Sequence, residues 1–147
     1  MPKKGLPESV LLDLVALLAY TFADDELHTN ATRFMDAVEE QKVKTYISDV
    51  TPYEAEALFI SGNVPVSERS WNSFTARLWQ DPLLPRIPIT RKVFLEHLSF
   101  YRKTGGRYTY FDSYYLATAR VTGVPLVTAD KEILSEKSIT SLDLSGF

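Results

Sequence analysis

Apolar residues recur along the chain in two rhythms. Short aliphatic or β-branched runs alternate with longer segments in which they return every three or four positions. That alternation predicts an α/β fold with a parallel sheet. Residues 9–12 read as a buried first strand, followed by a helix to about residue 23. Thr29 or Asn30 is placed to cap a second helix carrying Phe34, Val38 and Gln41. Residues 43–48 alternate at period two and predict a strand. Thr51-Pro52-Tyr53-Glu54 then opens a helix, with Thr51 as cap, Pro52 at the first helical position and Glu54 closing a capping box.

After a break at residues 62–65, Ser67 caps a helix whose Trp71, Phe74 and Leu78 fall at helical spacing. A short strand is expected at 87–89, and then a helix capped by Thr90 with Phe94, Leu98 and Tyr101 on one face. Gly105-Gly106 ends that helix. Residues 111–122 predict a helix rich in small residues, stopped by Gly123. A strand at 125–128, a short helix opened by Ala129-Asp130 and an edge strand at 139–144 complete the reading.

Length and composition narrow the class. With 147 residues and neither repeats nor low-complexity stretches, residues 1–147 are expected to form a single domain. An apolar share of 45% and a charged share of 24% are those of a globular chain. There is no cysteine and there are only two histidines, which removes thiol catalysis and Cys- or His-rich zinc sites. His28 and His97 are expected to be surface or satisfied residues. The apolar N-terminal run is interrupted by Asp13 and is too short to cross a membrane, so a cytoplasmic protein without a membrane anchor is expected.

The candidate chemistry is acidic. Asp13, Glu54, Asp112 and Asp130 each fall at the start of a predicted helix. In a parallel sheet such positions gather at the carboxyl edge of the strands, where ligands bind. Each acid can equally be a helix cap, because unpaired amides and the positive dipole end favour carboxylates there. Capping alone does not account for Asp13 inside the apolar run Val-Leu-Leu-Asp-Leu-Val, where an unpaired carboxylate is costly.

Four segments, in order and over nearly the whole chain, resemble the PIN-domain nucleases, among them the VapC-type toxins of toxin–antitoxin pairs. They are Val10-Leu11-Leu12-Asp13, then 48–54 (Ser-Asp-Val-Thr-Pro-Tyr-Glu), then 111–119 (Phe-Asp-Ser-Tyr-Tyr-Leu-Ala-Thr-Ala) and 123–130 (Gly-Val-Pro-Leu-Val-Thr-Ala-Asp). The resemblance implies a PIN-like three-layer sandwich with a mainly parallel central sheet flanked by helices. It implies a metal-dependent endoribonuclease in which Asp13, Glu54, Asp112 and Asp130 are the catalytic, metal-binding acids and Thr128 supports them. The implied cofactor is Mg2+ or Mn2+, and the implied partners are an RNA substrate, a cognate antitoxin and a second copy in a homodimer. A broad apolar surface at Trp71, Phe74, Leu78 and Trp79 adds to the dimer expectation.

The family often follows its first Asp with a small or hydroxyl residue and then Asn or Ser; Leu14 and Val15 stand here instead. That departure keeps open a non-catalytic PIN-like module that binds RNA or protein. Arg102, Lys103 and Arg107, with Tyr108, lead into Asp112 and are candidates for RNA contact through phosphate pairing and base stacking. The same residues can instead complement a helix C-terminus and fill the core.

Overall fold

The computed structural model of the chain describes residues 5–103 and 105–147, with the side chain of Lys103 outside that description. The strands β1 (Ser9–Leu12), β2 (Lys44–Ser48), β3 (Arg86–Ile87), β4 (Leu126–Thr128) and β5 (Ser141–Asp143) form one sheet in the order β3-β2-β1-β4-β5. Every pairing is parallel, with Leu11 opposite both Tyr46 and Leu126. Helices α1 (Leu14–Thr21), α2 (His28–Glu40), α3 (Thr51–Ile60), α4 (Glu68–Gln80), α5 (Arg91–Lys103), α6 (Tyr110–Thr122) and α7 (Lys131–Leu134) cover it.

Side chains alternate across a strand, so the sheet divides the interior in two. Val10, Leu12 and Val127 face a cluster with Leu17, Phe34, Trp71, Phe74 and Leu78 from α1, α2 and α4. Leu11 and Leu126 face the other way, onto Val93 and Phe100 of α5, Tyr115 and Leu116 of α6, and Ile133 of α7. The result is a three-layer α/β sandwich with β1 at its centre, and it brings the carboxyl ends of β1, β2 and β4 to one edge.

Several local expectations are corrected. Helix α2 starts at His28 with Leu27 in the cap position and no side-chain cap, rather than at Thr29 or Asn30. Asp25 shapes the preceding turn by accepting from Leu27 N–H at 2.8 Å. Asn30 is occupied elsewhere, donating to the Phe147 carbonyl at 2.7 Å. The third strand is shorter and earlier than 87–89, ending at Ile87.

On α5 the buried residues are Val93, His97 and Phe100, whereas Phe94 and Tyr101 are exposed. Both triplets run i, i+4, i+7, and packing against α6 selects the first. His97, expected to be a satisfied residue, is fully buried with neither ring nitrogen hydrogen-bonded among the described residues. Aromatic contacts hold it instead, with its ring stacked 3.6 Å from that of Tyr114. Trp71, Phe74 and Leu78 are spent in the core, which removes them from any docking surface and leaves Trp79 exposed.

Candidate active site

Asp13 directly follows β1 and caps α1, its Oδ1 accepting from Ala16 N–H at 2.8 Å. Only 5% of the residue is exposed. Burial pushes its pKa from 3.8 up to about 6. Bonds from the Thr128 hydroxyl and Ala16 N–H work against that rise, while the nearby charges of Asp112 and Asp130 add to it. Thr128 is itself fully buried at the end of β4, and its Oγ1 accepts from Asp130 N–H at 3.1 Å. One hydroxyl therefore links two of the acids.

Glu54 lies in the first turn of α3, but the capping box expected there does not form. Val50 occupies the cap position without a side-chain bond. The Thr51 hydroxyl is fully buried, accepting from Ser48 N–H at 3.1 Å and lying 3.0 Å from the Tyr115 hydroxyl. Glu54 is thereby free of a capping role. Its Oε2 is sealed from solvent with no hydrogen-bond partner among the described residues. Burial raises its pKa from 4.5 to about 8, the Tyr115 hydroxyl lowers it, and Asp13 and Asp112 raise it further.

Asp112 is the third residue of α6, whose cap is Thr109; the Thr109 hydroxyl accepts from Asp112 N–H at 3.1 Å. Burial raises its pKa, bonding to Thr109 counters this, and Asp130 adds to the rise. Asp130 caps α7, its Oδ1 accepting from Glu132 N–H at 2.8 Å and Ile133 N–H at 3.3 Å. For Asp130 the capping bonds occupy Oδ1 and leave Oδ2 for other work, whereas Asp13 also accepts from the Thr128 hydroxyl. Capping and ligation are therefore compatible in the same side chain.

These carboxylates feel one another's charge across the carboxyl edge of the sheet. The described groups acting on Asp13, Glu54 and Asp112 are hydroxyls, backbone amides and other carboxylates, with no described lysine or arginine among them. Acidic groups are concentrated there without a cation among the described residues to offset them. An all-oxygen donor set suits a hard divalent ion, and the orphaned Glu54 Oε2 suits an absent electropositive partner. Among the described residues, however, no group of three or more His, Asp or Glu stands ready-assembled around a metal position.

Tyr115 is the site residue that the sequence reading missed. It is fully buried and touches both Thr51 and Glu54. It lies three positions after Asp112, on the same helix face, and that spacing is the signal by which it can be found.

The expected RNA contacts fare differently. Tyr108 is 2% exposed, its ring lies edge-on to Phe100, and its hydroxyl donates to Glu136 Oε2 at 2.7 Å. That burial corrects the expectation of base stacking there. Arg107 pairs with Glu132 at 3.0 Å, donates to Ser135 Oγ at 2.7 Å and covers the Tyr108 ring. Arg102 is exposed. The side chain of Lys103 lies outside the described residues.

The family model for the PIN domain matches residues 10–138, and the chain belongs to the PIN-domain family. Among solved structures, FitAcB from Neisseria gonorrhoeae is 19% identical, covering 94% of this chain and 99% of its own, with a TM-score of 0.67. Mycobacterium tuberculosis VapC20, described as a sarcin-ricin loop cleaving toxin, is 16% identical over 86% of this chain and 93% of its own, with a TM-score of 0.69. VapBC2 from Rickettsia felis, bound to a DNA fragment from its promoter, is 13% identical over 92% and 98%, with a TM-score of 0.65. At these identities the likeness is one of fold. No curated protein matches the sequence.

Proposed function

We propose that the chain is a metal-dependent endoribonuclease, the toxin of a toxin–antitoxin pair, acting through Asp13, Glu54, Asp112 and Asp130 with Thr128 in support. The observation that carries this reading is the group of interacting, partly or wholly buried carboxylates with no lysine or arginine among the described residues acting on them. Such a group is costly in an empty protein and is relieved by bound divalent cations. Mg2+ or Mn2+ held there supplies Lewis acidity toward a phosphodiester and its attacking water.

The chain's own residues do the rest. Asp13 and Asp130 keep fixed orientations through their capping bonds, and Asp130 offers its second oxygen. Thr128 ties the two together. In this reading Glu54, whose pKa burial raises to about 8, is the group that exchanges a proton. No side-chain nucleophile is required, in keeping with a chain that lacks cysteine.

The relatives described as toxins or as toxin–antitoxin complexes support an antitoxin partner. A homodimer is supported by a different surface from the one first expected: Phe94, Leu95 and Tyr101 on α5, with Tyr110 on α6, are exposed together. The proposed RNA substrate sets the protein in the cytoplasm, and no helix among the described residues is long and apolar enough to cross a membrane.

A second reading, a PIN-like module that binds RNA or protein without cutting, is favoured by the fact that no ready-assembled metal cage stands among the described residues. One assay separates the two. Purified protein is incubated with unpaired RNA and Mg2+ or Mn2+, beside EDTA and Asp13→Asn controls. Cleavage leaving 5′-phosphate and 3′-hydroxyl ends, abolished in both controls, is expected. RNA binding without metal-dependent cleavage would establish the second reading instead.

A further inference from the structure

A second recess opens at the same sheet edge, on the far side of β2 from Asp13. It has a volume of about 470 Å3 and is lined by Asp49, Val50, Tyr53, Trp79, Arg86 and Ile89. Two large aromatic rings stand exposed in it, Tyr53 at 63% and Trp79 at 52%. Their planes meet at 90° with centroids 6.1 Å apart, making a floor and a wall. The Arg86 guanidinium lies 4.4 Å from the Trp79 ring centre and brings a positive charge to the corner. Asp49 Oδ2 accepts from Ile89 N–H at 3.3 Å, leaving Oδ1 as an acceptor at the rim.

Aromatic rings of this size are normally largely buried, and here two stand exposed on α3 and α4. Position adds to the argument. Tyr53 immediately precedes Glu54 in α3, and Asp49 follows the strand that pairs with β1. A flat ring that carries N–H donors at its edge and trails an anionic backbone matches all three features: the ring faces, the free acceptor and the guanidinium.

We propose that Tyr53, Trp79, Arg86 and Asp49 form a subsite for one unpaired base of the RNA strand, flanking the position of cleavage. Tyr53 and Trp79 stack on and abut the base, Arg86 meets the neighbouring phosphate, and Asp49 accepts from a base amino or imino group. The subsite deepens, and rests on, the ribonuclease reading above. A protein side chain in the same corner is the competing occupant, and the test separates the two.

The test uses the full chain in EDTA with a short unpaired oligoribonucleotide and its abasic counterpart. Trp71 is buried and Trp79 exposed, so of the two tryptophans only Trp79 reports on the corner. Saturable quenching of tryptophan emission by the RNA, and much less by the abasic strand, is expected. Trp79→Ala and, independently, the exposed-site variant Tyr53→Ala should each weaken RNA binding about tenfold by anisotropy, and Trp79→Phe should restore most of it. With Mg2+ or Mn2+ present, the alanine variants should raise KM while leaving kcat near wild type.

Equal RNA affinity in wild type and both alanine variants would overturn the subsite, give the corner to another occupant and leave the ribonuclease reading intact. Base-dependent quenching without any metal-dependent cleavage would sustain the subsite and retire the ribonuclease reading. No RNA binding by the wild type would overturn the subsite, and the metal-dependent cleavage assay would then decide the ribonuclease reading independently.

Discussion

Glu54 and Asp13 give the metal-free protein a pH dependence of defined sign. Both carboxyls have folded-state pKa values above their ordinary ones, about 8 against 4.5 and about 6 against 3.8. Between those limits the folded chain holds protons that the unfolded chain has released. Their contribution to stability is therefore complete below about pH 4 and is lost as pH rises through the folded values. At about pH 6 Asp13 is half-deprotonated, whereas Glu54 still holds its proton. Each pH unit from there costs about 1.4 kcal/mol, so raising the pH from about 6 to about 7.5 should remove about 2 kcal/mol.

For a chain of this size that loss corresponds to a fall in Tm of roughly 4–8 °C. Thermal melts in EDTA across the interval measure it directly. Glu54→Gln keeps the shape, cannot ionise, and should flatten the slope over the same interval. Mn2+ should also flatten it for the wild type, because an ion that binds the folded, deprotonated site offsets the cost by mass action. A slope that survives in Glu54→Gln, or a wild-type Tm that rises over the interval, would refute the burial argument for Glu54.

Asp112→Asn should abolish Mg2+- or Mn2+-dependent RNA cleavage, leave the metal-free fold at least as stable, and reduce the Mn2+-induced rise in Tm, all read from melts run beside a cleavage assay. Tyr115→Phe deletes the hydroxyl that bonds Thr51 and restrains Glu54. It should cost about 1–2 kcal/mol in denaturant unfolding and move the rising limb of the cleavage pH profile upward. Leu95→Glu places a charge in the exposed α5 face. Light scattering should find a dimer for the wild type and a 16.7 kDa particle for the variant, with its circular dichroism unchanged.

Local pattern was enough to mark most elements. The run Val10-Leu11-Leu12, the period-two stretch ending at Ser48 and the strand ending at Thr128 all announce buried β structure, and they fold so. Ser67 and Gly123 bound their helices as their chemistry dictates, Gly123 at φ 72°, a conformation that favours glycine. The order of strand and helix was sufficient for a parallel α/β sandwich, and with it the expectation that four acids share one edge.

Tertiary structure decided which of several equivalent local options is used. On α5 two apolar stripes have identical spacing, and periodicity cannot rank them; contact with α6 buries Val93, His97 and Phe100 and leaves Phe94 and Tyr101 outside. Thr51 satisfies every local rule for a cap, yet the approach of Tyr115 from a distant helix draws its hydroxyl inward and leaves Glu54 uncapped. Tyr108 looks available beside two arginines, but Phe100 and Glu136 claim it. The charge of the site follows the same logic. Residue type says that Asp13 and Glu54 are acids. Only the packing around them, which buries both and sets no described lysine or arginine against them, raises their pKa values to about 6 and about 8, because the cost of a buried charge depends on everything that surrounds it.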